Sequence, residues 1–209
     1  MKRVLLGTTA AAAVAVAGLL PAMAVPTAFG SLYEVSSAVA MNAVPGNVPA
    51  GPATVTFTAP SDPLSFNPAD TNPPYTIGAW LATGGATILS GSSHLGDSMD
   101  NTLINFTGTV TVTTGQTFIA GHDDGVTLTI GGLTVISAPG PTALTPTTAT
   151  YTGPSGNQPF QLVYGECCGP PAALVVDLPL VSPVPEPAAL AVFGAGLLGL
   201  GFIRRRKPG

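Results

Sequence analysis

Residues 104–132 read INFTGTVTVTTGQTFIAGHDDGVTLTIGG. In the first nine, Ile104, Phe106, Val110 and Val112 fall on one side of an extended chain. Thr107, Thr109 and Thr111 fall on the other. Val126, Leu128 and Ile130 alternate with Thr127 and Thr129 in the same way. A period of two marks a half-buried strand, and β-branched threonine suits its solvated face. Between the two runs stands Asp123-Asp124, a doubled negative charge in a segment with no lysine or arginine. The stretch thus sets the fold class and poses the question of what answers that charge.

Similar short runs recur at 32–40, 53–58, 76–82, 116–121, 133–137, 148–152, 160–165 and 172–178. They are separated by Gly, Pro, Asn and Asp, and no long helical period intervenes. This spacing predicts an all-β chain, an antiparallel β-sandwich of jelly-roll type. Residues 59–74, APSDPLSFNPADTNPP, predict a proline-rich loop, because proline cannot donate to a central ladder. Residues 138–147 read as a loop as well.

Only 8% of residues are charged, and glycine and proline number 26 and 22. The 45% apolar fraction nevertheless provides for a packed core rather than a disordered chain. All six basic residues lie at the ends: Lys2, Arg3, Arg204, Arg205, Arg206 and Lys207. Between Val25 and Val184 there are nine acidic residues and no lysine or arginine. Nucleic-acid binding through counterion release lacks its cations there, so nucleic acid is excluded as a partner.

Local chemistry leaves two readings of Asp123-Asp124. Asp124-Gly125 is a strong hairpin-turn dipeptide, and Gly131-Gly132 suits a second turn. On the other reading, the carboxylates repel by about 1 kcal/mol at 4 Å in water, more where shielded. A bound cation relieves this, and clustered hard oxygens suit calcium. That reading expects the two carboxylates at one loop end of the sandwich, near other oxygen donors and open to solvent.

The ends carry addresses. Lys2-Arg3, the apolar run 4–20 and Ala22-Met23-Ala24 read as a secretory signal helix, residues 1–24, implying the Sec export machinery, with an uncleaved membrane anchor as the alternative. Residues 25–178 then form the sandwich domain and 179–187 a proline-rich linker. The apolar run 188–203 spans roughly 24 Å as a helix, short of the ~30 Å hydrocarbon core. The basic tail, 204–209, stays cytoplasmic by the positive-inside rule. This C-terminal hydrophobic helix is expected to be a marginal, transient inner-membrane anchor, with a short ordinary tail anchor as the alternative. Pro185-Glu186-Pro187, the apolar run and Arg204-Arg205-Arg206 together resemble the PEP-CTERM sorting signal of exopolysaccharide-producing Gram-negative bacteria. The resemblance implies processing by an exosortase-type enzyme and delivery to the cell surface or extracellular matrix.

A second resemblance covers roughly residues 100–178. Phe106 and Gly108, Gly115 and Phe118, Asp123-Asp124-Gly125, Gly132, then Tyr164 and Glu166 before Ala172–Val176, resemble the protective-antigen-type β-sandwich shared with flocculin-type adhesins. In lectin members of that family the paired aspartates hold a calcium ion that ligates sugar hydroxyls. The resemblance makes Asp123 and Asp124 candidate calcium ligands. Those members take further ligands from a later loop, commonly an asparagine, and Asn157 is the one asparagine after Asn105.

Cys167 and Cys168 are the only cysteines, in a chain addressed to an oxidising compartment. They are candidates for a vicinal disulfide, although neighbouring Cα atoms about 3.8 Å apart lie inside the usual disulfide range. Free or intermolecularly paired thiols are the alternative. His94, Asp97 and Asp100 read as an acidic loop in preference to a metal site. His122 lacks a nucleophile-elbow partner, and adjacent aspartates are not the opposed carboxyl pair of a glycosidase. Trp80 and Tyr75 read as packing residues before sugar platforms. The sequence thus predicts an exported, non-catalytic β-sandwich that binds an extracellular glycan or matrix polysaccharide with calcium. A ligand-free structural matrix protein and a secreted polysaccharide-processing enzyme are the competing expectations.

Overall fold

Apolar alternation becomes strand wherever it is strict. In the computed structural model, which describes residues 27–60, 63–71, 75–169 and 171–181, the first half contains β1 (Thr27–Glu34), α1 (Ser37–Ala40), β2 (Val55–Pro60), β3 (Leu64–Phe66), α2 (Ile77–Thr83) and β4 (Thr87–Ser90). There follow β5 (Thr102–Val112), β6 (Thr117–Asp123), β7 (Gly125–Ile130), β8 (Leu133–Ala138), β9 (Thr145–Thr150), β10 (Gly156–Glu166) and β11 (Ala173–Val176).

The strands form two antiparallel sheets. One has seven strands in the order β4-β2-β1-β5-β10-β7-β8, the other four in the order β3-β11-β6-β9. The long strands β5 and β10 pair over eleven residues at the centre of the larger sheet, from Gly156↔Val112 to Glu166↔Thr102. Ile104, Phe106, Val110 and Val112 are all buried, as their alternation predicts. They join Leu32, Phe57, Leu128 and Leu162 in one core with Phe66, Phe118, Leu174 and Val176 of the smaller sheet. Gly30 faces Phe57 across the β1–β2 ladder, and a Cβ there would lie 2.2 Å from the phenyl ring. A small residue opposite a large one is how the interior keeps native density.

Several expectations are corrected. Residues 76–82 form a helix, not a strand. The Thr76 hydroxyl accepts from the Ala79 N–H at 3.3 Å as an N-cap, and Ile77, Trp80 and Leu81 bury one face at helical spacing. Residues 32–40 divide into the end of β1 and the short helix α1. The proline-rich loop 59–74 contains β3, and β4 was not anticipated. The outer, threonine-bearing face of the larger sheet is partly covered. Ala43, Leu103 and Val163 cluster there with Val35, Val39 and Val48, and Thr127, paired with Val163, is buried.

Gly131 and Gly132, at φ 58° and 81°, make the tight β7–β8 turn that their dipeptide predicts. Residues 179–181, read as linker, instead bind along β5: Thr111 N–H donates to Pro179 O, and Val181 N–H to Thr109 O. The signal helix, the sorting helix and the basic tail lie outside the described residues. Among the described residues, no helix is long and apolar enough to cross a membrane.

Candidate functional site

Asp123 and Asp124 stand where the chain passes from one sheet to the other. Asp123 ends β6 in the smaller sheet, Gly125 begins β7 in the larger, and Asp124 alone lies between them. The hairpin reading of Asp124-Gly125 is therefore wrong, since β6 and β7 are not paired. The Asp123-Asp124 peptide bond is cis. Gly125 is needed for close approach: a Cβ there would lie 2.1 Å from the Pro139 carbonyl oxygen. At Gly165, its partner across the β7–β10 ladder, a Cβ would lie 2.3 Å from the Ala40 carbonyl oxygen. Two segments thus press their backbones against this end of the larger sheet.

The last residue of β10, Glu166, reaches the same place. One carboxylate oxygen from each of Asp123, Asp124 and Glu166 lies within 4.8 Å of the others. The three are 8%, 6% and 1% exposed, which corrects the expectation of an open pair. Asp124 is held rigidly: Thr142 N–H donates to Oδ1 at 3.1 Å and Cys167 N–H to Oδ2 at 2.9 Å. The Tyr164 hydroxyl lies 3.0 Å from Glu166 Oε2 and also contacts the Asp123 carbonyl oxygen. Glu166 Oε1 is buried without a partner.

Electrostatics follow from burial without counter-charge. Burial, then the Asp124 and Asp70 charges, push the Asp123 carboxyl up from 3.8 to about 7. Burial and then the Asp124 charge push Glu166 up from 4.5 to about 10, against the Tyr164 hydrogen bond. Burial, then Glu166, raises the Tyr164 phenol well above its ordinary value. Asp70, in the loop after β3, is thus a further acidic neighbour, and its Oδ1 is also buried without a partner. The cluster is one that protons or a cation must neutralise. Its oxygen donors fit a hard divalent cation, with Glu166 Oε1 a free donor inside it.

The other candidate residues separate. Asn157 lies near the opposite end of β10, eight residues from Gly165, or roughly 26 Å at strand rise. There its Oδ1 accepts from Thr111 Oγ1 at 2.7 Å, so it is not brought to the aspartates. Cys167 and Cys168 stand as free cysteines, the first buried and the second exposed. His94 Nδ1 lies 2.8 Å from Asp97 Oδ2 and 3.6 Å from Glu34 Oε2 on a half-exposed surface. His122 is locked: Nδ1 donates to the Asp124 carbonyl and Nε2 meets the Thr147 hydroxyl at 2.8 Å. Trp80 is core, stacked on Phe66 at 4.2 Å and on Tyr164 at 5.6 Å, whereas Tyr75 is exposed. Glu166 was legible only as part of a family pattern, with no role attached. The sorting residues Pro185, Glu186, Pro187, Arg204, Arg205 and Arg206 lie outside the described residues.

Comparison with known proteins bears on both halves of the reading. Residues 183–207 match the PEP-CTERM protein-sorting motif. No curated protein matches the chain. Among solved structures, the chain is similar to the PA14 sugar-binding domain from an RTX adhesin, with TM-score 0.54 and 19% identity, over 74% of this chain and 91% of that one. It is also similar to the PA14 domain of the MpAFP antifreeze protein, with TM-score 0.49 and 18% identity, over 76% and 83%. At 19% identity the adhesin likeness speaks for the fold alone. The chain therefore carries a PEP-CTERM sorting motif at residues 183–207, and its described body is a two-sheet antiparallel β-sandwich similar in fold to the adhesin's PA14 domain.

Proposed function

We propose that this is an exported cell-surface or matrix module that binds carbohydrate through a calcium ion held by Asp123, Asp124 and Glu166. The observation that carries it is the convergence of three buried carboxylates within 4.8 Å in a domain without lysine or arginine. Metal-free, Asp123 and Glu166 hold their protons to higher pH than ordinary carboxyls, with burial and the neighbouring Asp124 charge pushing them up to about 7 and about 10. A site kept at that electrostatic cost, with a free buried donor at Glu166 Oε1, suits a cation better than a plain corner. When bound, calcium supplies coordination positions for paired sugar hydroxyls.

The chain's own residues fix the donors. Thr142 and Cys167 N–H groups orient Asp124, and Tyr164 orients Glu166 from a ring stacked in the core. The exposed Cys168, whose thiol is within 4.8 Å of Asp124, marks the side open to a ligand. His122 has both ring nitrogens engaged, which favours binding over proton-transfer chemistry. The adhesin domain of similar fold is a sugar-binding one, which supports a glycan as the ligand. Export by the Sec machinery, transient anchoring at 188–203 and exosortase-type cleavage would place the module on surface or matrix polysaccharide.

The test is a glycan array probed with the mature domain in calcium and in chelator. Retention on a defined set of glycans only in calcium supports the proposal. Equal retention in chelator removes calcium from it, and no retention in either condition leaves a structural matrix protein.

A further inference from the structure

Two consecutive side chains of an extended strand point to opposite faces. Cys167 and Cys168 do not follow that rule, because they lie beyond the end of β10 and Cys168, two residues after Glu166, adopts a left-handed conformation at φ 70°. The turn brings both thiols to one carboxylate. Cys167 Sγ, Cys168 Sγ and an Asp124 oxygen all lie within 4.8 Å of one another, although the first thiol is buried and the second exposed. Both thiols are free. The Asp124 carboxylate facing them is already oriented by the N–H groups of Thr142 and of Cys167 itself. A metal ligand held by such outer partners is what tight sites require.

We propose that Cys167, Cys168 and Asp124 form a second cation site, selective for a thiophilic divalent ion of the zinc class. Two sulfurs and one carboxylate oxygen are a three-ligand set for zinc, with a fourth position left to solvent on the exposed side of Cys168. Hard cations such as calcium gain little from sulfur, so this set and the all-oxygen set of Asp123, Asp124 and Glu166 differ in preference while sharing Asp124. The alternative fate of the thiols, an eight-membered disulfide ring, must fit Cα atoms about 3.8 Å apart, below the usual disulfide separation. Bridging through a metal enlarges the ring and lifts that constraint. The site stands without the calcium reading, because its two sulfurs take no part there.

Cadmium serves as the probe, since cadmium–thiolate bonds absorb in the ultraviolet. The reduced mature domain is titrated with cadmium in calcium-free buffer, and zinc is then used as a competitor. The expected result is a saturable charge-transfer band at one cadmium per chain, displaced by zinc, with both thiols protected from alkylation. Asp124→Asn should weaken cadmium by on the order of tenfold, the lower end of what even outer partners of a metal site contribute. Cys168→Gly should remove about half the band and most of the affinity. It is chosen because the position is exposed and glycine accepts its positive φ, so the fold survives. The proposal is overturned by absence of the band, by one cadmium per two chains, or by Cys168→Gly binding as tightly as the parent. A calcium-dependent glycan result of either sign leaves all three outcomes unaffected, so the two readings fail separately.

Discussion

Tyr164 and Glu166 lie two residues apart on β10, and the phenol hydroxyl sits 3.0 Å from the carboxylate Oε2. The same ring stacks on Trp80, which stacks in turn on Phe66. The site's most buried acid is therefore fixed by the sandwich core and not by a loose loop. Replacing Tyr164 with Phe keeps the stack and removes the one hydroxyl that the Glu166 carboxyl and the Asp123 carbonyl share. We expect a loss of about 1–3 kcal/mol in chemical denaturation of the metal-free domain, the cost of stranding buried acceptors.

Acidity should stabilise the metal-free domain. Asp123 and Glu166 have folded values near 7 and 10 against ordinary values of 3.8 and 4.5. A group that holds its proton more tightly when folded contributes fully below its unfolded value and loses that contribution as pH rises towards the folded one. The melting temperature in chelator should therefore fall from about pH 4 through pH 7 and onward to pH 10. Calorimetry across that range checks the sign. Asp123→Asn should reduce the slope only between about pH 4 and pH 7, whereas Glu166→Gln should reduce it across the whole interval from about pH 4.5 to pH 10 and remove it above pH 7.

The same protons compete with calcium. Raising the pH from 6 to 8 should tighten calcium binding, because Asp123 gives up its proton in that interval and metal binding expels what remains. Isothermal titration in buffers of different ionisation enthalpy should show proton release on calcium addition.

Gly125 supports the corner sterically. An added methyl would meet the Pro139 carbonyl at 2.1 Å, a backbone atom that cannot swing aside. Gly125→Ala should cost about 1–3 kcal/mol, the range for forcing extra volume into packed structure, measured by urea denaturation. Gly132→Ala, with nothing within 4 Å of the added methyl, should lose only what its φ of 81° imposes.

What was legible in the sequence divides along physical lines. Strict alternation in 104–112 and 126–130 identified strands, because a period of two has one meaning when one face is buried. It failed at 76–82, where Thr76 caps a helix whose spacing of Ile77, Trp80 and Leu81 is short enough to pass for a strand. Asp124-Gly125 misled because a turn dipeptide states local backbone preference, not which sheet the next strand joins. The acidic corner was visible as a charge problem, through the missing lysine and arginine. Its third carboxylate was not, because Glu166 reaches it only through the pairing of β10 with β7. Asn157 was chosen by residue type, and the strand carries it the wrong way.

The most direct measurement is the melting temperature of the mature domain at neutral pH, with and without calcium, beside Asp123→Asn/Asp124→Asn. A ligand selective for the folded state at about a hundredfold excess over Kd adds roughly 2.7 kcal/mol, or about 5–10 °C for a domain of this size. We expect that rise in the parent and its loss in the double variant, whose metal-free melting gains from the lost carboxylate repulsion and loses one of the two N–H bonds to position 124, because asparagine accepts only through Oδ1. No calcium shift in the parent at millimolar concentration would contradict it, and protons alone would then answer the charge of Asp123 and Asp124.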